Sequence, residues 1–202
     1  LIISGGAAMN SVANGILDKT KIYKDTWVGY APDDSGVAIG AGLLAHHKFS
    51  KQKRLIKEIK TNYFGPGYGT DEIKNILLKN KINFFKPKSI YNFAAKEIIK
   101  GKLIGLFQNK MEFGHRALGN RSIIADPRNP KMKDIINKAV KYRETFRPFA
   151  PAVLEEYQQK IFKIRDKRKV YFMERVYQIK SNWQKKIPAV THSDGSGRIQ
   201  TV

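Results

Sequence analysis

A chain of 202 residues has room for one domain or two small ones, and its 42% hydrophobic and 11% aromatic content argues for a folded rather than a disordered chain. The formal charge is +21; residues 1–50 balance four lysines with four acids, so the whole excess lies beyond residue 50. There is no cysteine, which excludes disulfides and thiolate metal sites and suits a reducing cytoplasm, and no apolar run approaches the ~18 residues of a membrane span.

The chain opens on Leu1 to Ser4, a β-rich run that reads as a strand already under way in a longer protein. Gly5 and Gly6 follow, then a helix with Met9, Val12, Ala13, Ile16 and Leu17 on one stripe. A strand, a diglycine and a helix let backbone approach a ligand and offer free N–H groups to an anion, although many α/β turns share the pattern. Thr26 to Tyr30 is a second strand, 31–36 a turn, and Val37 to Ala45 a helix closed by His46 and His47. Asp34, just ahead of that helix, is either an N-terminal cap or a ligand for a metal or for water near a nucleotide. The glycines and proline of Tyr63–Thr70 mark a boundary. They divide the chain into a first domain over 1–62, a linker over 63–89 and a second domain over 90–202.

Helices are expected over Asp71–Asn80, capped by Thr70, and over Ser89–Lys100. The second domain opens with strands at Lys102–Gln108 and Ser122–Ala125. An amphipathic helix follows over Met132–Val140, its face formed by Met132, Ile135, Ile136, Ala139 and Val140. Phe149–Leu154 reads as a strand, Glu155–Phe162 as a helix, Lys163–Lys169 as a solvated charge run and Tyr171–Ile179 as a strand. A polar turn, His192 to Gly195, leads into a last run, RIQTV. The mixture is α/β, of the α+β kind.

The chemistry concentrates in Gly105–Pro151. Arg116, Arg121, Arg128, Lys141, Arg143 and Arg147 sit there at turns beside Gly114, Gly119, Pro127 and Pro148. Arginines fixed at turns suit bidentate recognition of phosphate or carboxylate oxygens; a basic outer face with incidental turns is the alternative. No nucleophile elbow, P-loop or metal-ligand spacing is present. Arg116, Lys141, Arg147 and Arg198, with Arg143 equally eligible, can hold a phosphate and stabilise its charge as it leaves, provided the fold gathers their turns. Glu112 and Glu144 pair with arginines more readily than they act as acids or bases. His192 is either a base or phosphate ligand, or a structural turn residue.

EFGHRALGNRSIIADPRNP and KYRETFRPFAP, with GGAAMNSVANGIL near the start and THSDGSGRIQTV at the end, resemble the O-carbamoyltransferases that modify nodulation factors and antibiotics. The likeness runs through nearly the whole chain and is weakest at about 50–90 and 157–185. It implies the end of an actin-like (ASKHA) domain followed by most of a YrdC-like mixed-sheet domain. Its chemistry uses carbamoyl phosphate and Mg-bound ATP to form carbamoyl adenylate, whose carbamoyl group goes to a hydroxyl of a sugar or secondary metabolite. On the matching motifs, Arg116, Lys141, Arg147 and Arg198 resemble carbamoyl phosphate ligands. Gly5, Gly6 and Asn10 fall where the family faces its nucleotide, and Asp34 resembles one ligand of an iron or other divalent ion.

Two departures stand out. His115 replaces the family proline before Arg116, and HSDGS replaces HVDGT. The paired histidines of the metal site and a C-terminal cleft segment have no counterpart in these residues, so the expected sites are partial at both ends. A basic nucleic-acid-binding module is the competing reading of the +21 charge, and a truncated inactive relative is a third.

Overall fold

Short apolar pairs seed the first half. In the computed structural model, which describes residues 1–50, 52–53, 60–142, 144, 147, 149–165 and 168–202, β1 (Ile2–Ile3) lies parallel to β2 (Trp27–Val28). The connection is a 3₁₀ turn over Gly6–Met9 and then α1 (Ser11–Thr20), two pieces where one helix was expected. Asn10 is the break: it leaves helical geometry and its Oδ1 accepts the Ala13 N–H at 3.1 Å, capping α1. The expected apolar stripe of α1 is partly turned out, with Val12 51% and Ile16 54% exposed. The helix instead packs through Gly15, where a Cβ would meet the Val176 carbonyl at 2.1 Å. Asn14 is buried beside it and donates to the carbonyls of Ala8 and Glu174 at 2.8 and 3.0 Å.

α2 (Ser35–Ser50) runs past the expected end at Ala45, so His46 and His47 lie inside the helix rather than closing it. Lys48 is a good helix former and lies in the last turn, where the helix dipole favours a cation. α3 (Thr70–Lys79) starts after Gly69, and Thr70 is its first helical residue, not its cap. The glycine-rich stretch before α3 is strapped to the second half. Asn62 exchanges bonds with Phe113, Gly65 N donates to Met111 O at 2.9 Å, and Met111 N donates to Pro66 O at 2.8 Å.

α4 (Ile90–Ile99) is capped by the Ser89 hydroxyl, which accepts from Asn92 N. Its buried residue is Glu97, paired with Lys100 at 2.7 Å and Lys102 at 2.5 Å. Hydrogen bonds from the two ammonium groups pull this carboxyl down from 4.5 to about 2. A depressed folded value stabilises the protein above the unfolded value and loses that stabilisation as pH falls toward the folded one. Denaturant unfolding between pH 6 and pH 2.5 should therefore show a stability difference between the protein and its E97Q variant that is largest near pH 6. It should shrink steadily below 4.5. A difference that does not change with pH would assign Glu97 a packing role alone.

β3 (Ile104–Phe107) pairs antiparallel with β4 (Arg121–Ile124), Ile104 opposite Ile124 and Phe107 opposite Arg121. α5 (Met132–Ile136) then widens into a π turn over Asn137–Lys141 that ends at Tyr142 with φ +45°. The wider turn breaks the expected apolar face. Met132 and Ile136 are buried, Asn137 is buried with them, and Ile135 and Val140 are each 40% exposed.

β5 (Ala152–Val153), α6 (Gln158–Ile161), β6 (Val176–Gln178), α7 (Ser181–Gln184), β7 (Ser196–Arg198) and β8 (Gln200–Thr201) complete the chain. β5 runs parallel to β8 and β6 antiparallel to β7. Strands among the described residues thus pair in four two-stranded ladders rather than in one mixed sheet. The expected strand over Tyr171–Ile179 is confined to β6, because Met173 turns at φ +55° and the Glu174 carboxylate accepts the Phe172 N–H. The charge run before it is not simply solvated: Ile164 is buried, Arg168 pairs with Asp25 at 3.0 Å and Lys169 with Glu155 at 2.8 Å.

The main core gathers Phe162, Val170, Ile179 and Ile199, all fully buried, with Val153 and Tyr177 around them. A second cluster, Tyr30, Leu118 and Phe172, joins the two halves, with Tyr30 edge-on to Phe172 at 5.6 Å. A row of buried charges crosses the same boundary. Arg175 lies 2.9 Å from Asp18 and 2.5 Å from Glu174, and it donates to the Thr26 carbonyl at 2.6 Å.

Candidate anion site

The loop between β3 and β4 is shaped by one buried carboxylate. Glu112 Oε1 accepts the N–H groups of Leu118 and Asn120 at 2.7 and 2.8 Å, and Oε2 takes Arg121 Nε at 3.2 Å. Arg121 also donates to the Gly114 carbonyl. Gly114 has φ +106°, and a Cβ there would sit 2.8 Å from the Tyr30 carbonyl, so only glycine serves this close approach. Arg121 is therefore spent on holding the loop. Arg128 is spent likewise, on a bidentate pair with Asp126.

The loop delivers Arg116 and His115 beside the N-terminal segment. Arg116 donates to the carbonyls of Met9 at 2.9 Å and Phe172 at 3.0 Å, riveting the diglycine turn to the second half. Burial lowers its pKa, and the nearby Glu174 charge opposes the shift. His115 Nδ1 lies 3.9 Å from Asp33. Burial lowers the pKa of His115; Arg116 and Arg198 lower it further, and Asp33 works against them.

β7 brings in Arg198, and the turn before it brings His192. His192 Nδ1 is 2.9 Å from the Ser196 hydroxyl, the His192 backbone N–H donates to the Ser196 carbonyl, and its buried Nε2 has no hydrogen-bond partner. Burial lowers the pKa of His192, Asp194 opposes this, and Arg198 and Lys133 add to it. Two imidazoles thus feel the same guanidinium, and both are held toward the neutral form. A neutral imidazole among fixed cations can donate or accept one hydrogen bond while the cations carry the charge.

Arg116 and Arg198 therefore both act on His115, and Arg198 also acts on His192. Of the other expected ligands, Arg147 pairs with Glu144 at 2.9 Å, Lys141 is exposed at the end of the π turn, and Arg143 lies outside the described residues. Sequence reasoning missed Lys133, whose charge reaches His192, and Asp33, the acid that faces His115. Their only signals were proximity to the Pro130 turn and to Asp34.

At the diglycine turn Gly5 has φ +93° and donates to Pro32 O at 2.6 Å. Nothing lies within 4 Å of a Cβ on Gly5 or Gly6, which leaves room for a ligand against the backbone. Asn10 is nearby, its oxygen already used in capping α1. Asp34 is exposed, while its neighbour Asp33 accepts the Ser35 hydroxyl at 2.5 Å. Among the described residues no three His, Cys, Asp or Glu side chains gather as a metal site, so Asp34 alone does not amount to one. No helix of the described residues is long and apolar enough to cross a membrane.

Comparison with known proteins bears on this arrangement. Residues 95–202 match the carbamoyltransferase C-terminus family model and residues 1–43 match the carbamoyltransferase N-terminus model. Nodulation protein NolNO of Sinorhizobium fredii is 40% identical to the chain, with 100% of this chain and 30% of that protein covered. Nodulation protein NolO of Bradyrhizobium diazoefficiens is 36% identical, with 100% and 37% covered. Nodulation protein U of Rhizobium tropici is 34% identical, with 100% and 33% covered. The chain spans about a third of the length of these curated relatives.

Proposed function

The chain belongs to the carbamoyltransferase family, and on that footing we propose that it is the C-terminal part of an ATP-dependent O-carbamoyltransferase. The observation that carries this reading is that Arg116 and Arg198, from distant segments, both act on His115 while Arg198 also acts on His192, all inside the stretch matched by the C-terminal family model.

In this reading carbamoyl phosphate occupies the anion site. Water attacks its carbonyl carbon, the C–O bond to phosphate breaks, and phosphate leaves with the bonding pair. Arg198 stabilises the charge that grows on the leaving oxygens, and Arg116, with one bond from each Nη committed to a backbone carbonyl, adds its remaining N–H groups. His192, neutral near pH 7, offers Nε2 as one further hydrogen-bonding group. Lys141 and Arg147 close on the phosphate when ligand draws Arg147 from Glu144, an exchange of one exposed ion pair for a stronger dianion. The carbamate produced then attacks the α-phosphate of Mg-bound ATP at the diglycine turn, releasing pyrophosphate. Attack by an acceptor hydroxyl, from a sugar or secondary metabolite, on the adenylate's carbonyl completes transfer and releases AMP. The fold consistent with this chemistry is the end of an actin-like domain followed by a YrdC-like domain. Asp34 would give one carboxylate to an iron or other divalent ion, a site that needs further donors.

The test is calorimetric titration of carbamoyl phosphate into the chain and its Arg147→Ala variant at low and physiological salt. The expected result is saturable binding that persists in salt and is weakened about tenfold or more in the variant, the scale of one charged hydrogen bond. A folded chain that gives no saturable heat, or binds equally in both forms, would overturn the assignment. RNA binding that collapses with salt would then favour the nucleic-acid reading of the +21 charge.

A further inference from the structure

A second basic concavity, which shares no lining residue with the anion site, lies between the C-terminal end of α1 and the segment that enters β6. The cleft has a volume of about 540 Å³. Lys19, Lys21 and Lys24 line it from the end of α1, and Lys163 and Arg165 line it from the segment after α6. Asp18 is the one acid among the described lining residues, and it is already satisfied. Its carboxylate takes the Thr26 and Tyr177 hydroxyls at 2.5 Å each and lies 2.9 Å from Arg175 and 3.5 Å from Arg168. The floor is thus neutralised from below, and the five cations on the walls have no acidic partner among the described residues.

Helix electrostatics account for only part of this. Lysines near the end of α1 offset the negative end of its dipole. That argument does not reach Lys163 and Arg165, which come from a separate segment more than a hundred residues on. Lys21 also holds φ +55°, a left-handed geometry that glycine adopts at no cost and lysine does not. The strain turns the chain so that Tyr23 and Lys24 join the wall of the cleft. Like charges held together in a concave site repel one another until an anion fills it. The volume is in the range of small-ligand pockets, and Tyr23, 46% exposed, offers an aromatic face at the rim. An extended nucleic-acid track would instead need cations spread along an open groove.

We propose that this cleft binds a small ligand carrying a diphosphate group, at a site separate from that of Arg116 and Arg198. The diphosphate spans the cations of both walls, and a base or sugar attached to it packs on Tyr23.

The experiment follows backbone amide NMR shifts of the chain as inorganic pyrophosphate, and in a second arm ADP, is added at physiological salt. Three proteins are compared: wild type, the double variant Lys163→Ala/Arg165→Ala, and Arg198→Ala. Both cleft residues are exposed, so circular dichroism should confirm that the double variant stays folded. The expected result is saturable movement of amides 19–24 and 163–165 with a dissociation constant below about 1 mM, weakened about tenfold in the double variant and unchanged in Arg198→Ala. Tighter binding of ADP than of pyrophosphate at these amides assigns the ligand to nucleotides. Equal binding leaves the diphosphate itself as the recognised group. Absence of shifts at these amides would overturn the proposal, as would loss of those shifts in Arg198→Ala. So would displacement of pyrophosphate by short RNA with a steep salt dependence.

Discussion

Replacing Arg175 by Met is expected to lower the free energy of unfolding by about 3–5 kcal/mol, the usual effect of removing one partner from a buried charge cluster. Arg175 is 3% exposed and lies between two buried carboxylates, Glu174 and Asp18. It also satisfies the carbonyl and hydroxyl of Thr26 at 2.6 and 3.0 Å. These contacts join residues 14–28 to β6, so their loss weakens the boundary between the halves as well as leaving charge unpaired. Burial already raises the pKa of Glu174, and Arg175 is the main charge opposing that rise. Without Arg175 the folded value climbs further above the unfolded one. A raised carboxyl pKa gives stability that is present below the unfolded value and lost as pH rises through the folded one. The stability gap between wild type and the variant in urea unfolding should therefore be smaller near pH 4 than near pH 7. Adding Asp18→Asn and Glu174→Gln to Arg175→Met should recover part of the loss, since the orphaned charges are then gone. A change below about 1 kcal/mol in the single variant would mean that water reaches this network.

Arg198→Ala is expected to weaken carbamoyl phosphate binding by about 10–100-fold, the worth of one hydrogen bond to a charged group. The same variant should move two other residues. Arg198 holds down the protonation of both His115 and His192, so its removal should raise both titration midpoints toward the ordinary value of 6.5. Histidine ring NMR read against pH, beside calorimetry, measures both effects on one sample. Weakened binding with unmoved histidine midpoints would show that Arg198 acts only through the shape of β7. Shifted midpoints with unchanged affinity would remove Arg198 from the phosphate site while leaving the electrostatic cluster intact.

Some elements were legible because local signals agreed. Ser89 before an apolar-periodic run marked α4, and the diglycine after a short β-rich run marked the turn at Gly5. Other elements were misread where a tertiary partner decided. The apolar stripe of α1 lost to Gly15, because the helix approaches Val176 too closely for any side chain. The face of α5 broke where the π turn shifted its register. The strand over Tyr171–Ile179 shortened because Glu174 folds back on Phe172 N.

The site divides along the same line. Sequence alone determined the residue types: arginines at glycine-rich turns and an ordered set of motifs, which carried the family resemblance that the family models bear out. It could not rank those arginines, since an arginine holding a loop and one facing a ligand look alike in one dimension. Tertiary structure assigned Arg121 to Glu112, Arg128 to Asp126 and Arg147 to Glu144, and brought Arg198 toward two histidines from 6 and 83 residues away in the chain. It also enclosed Lys163 and Arg165 in a cleft with the end of α1, although they had read as part of a solvated charge run. Charge depends only on composition, whereas the field a charge creates depends on distance and burial, which only the folded chain sets.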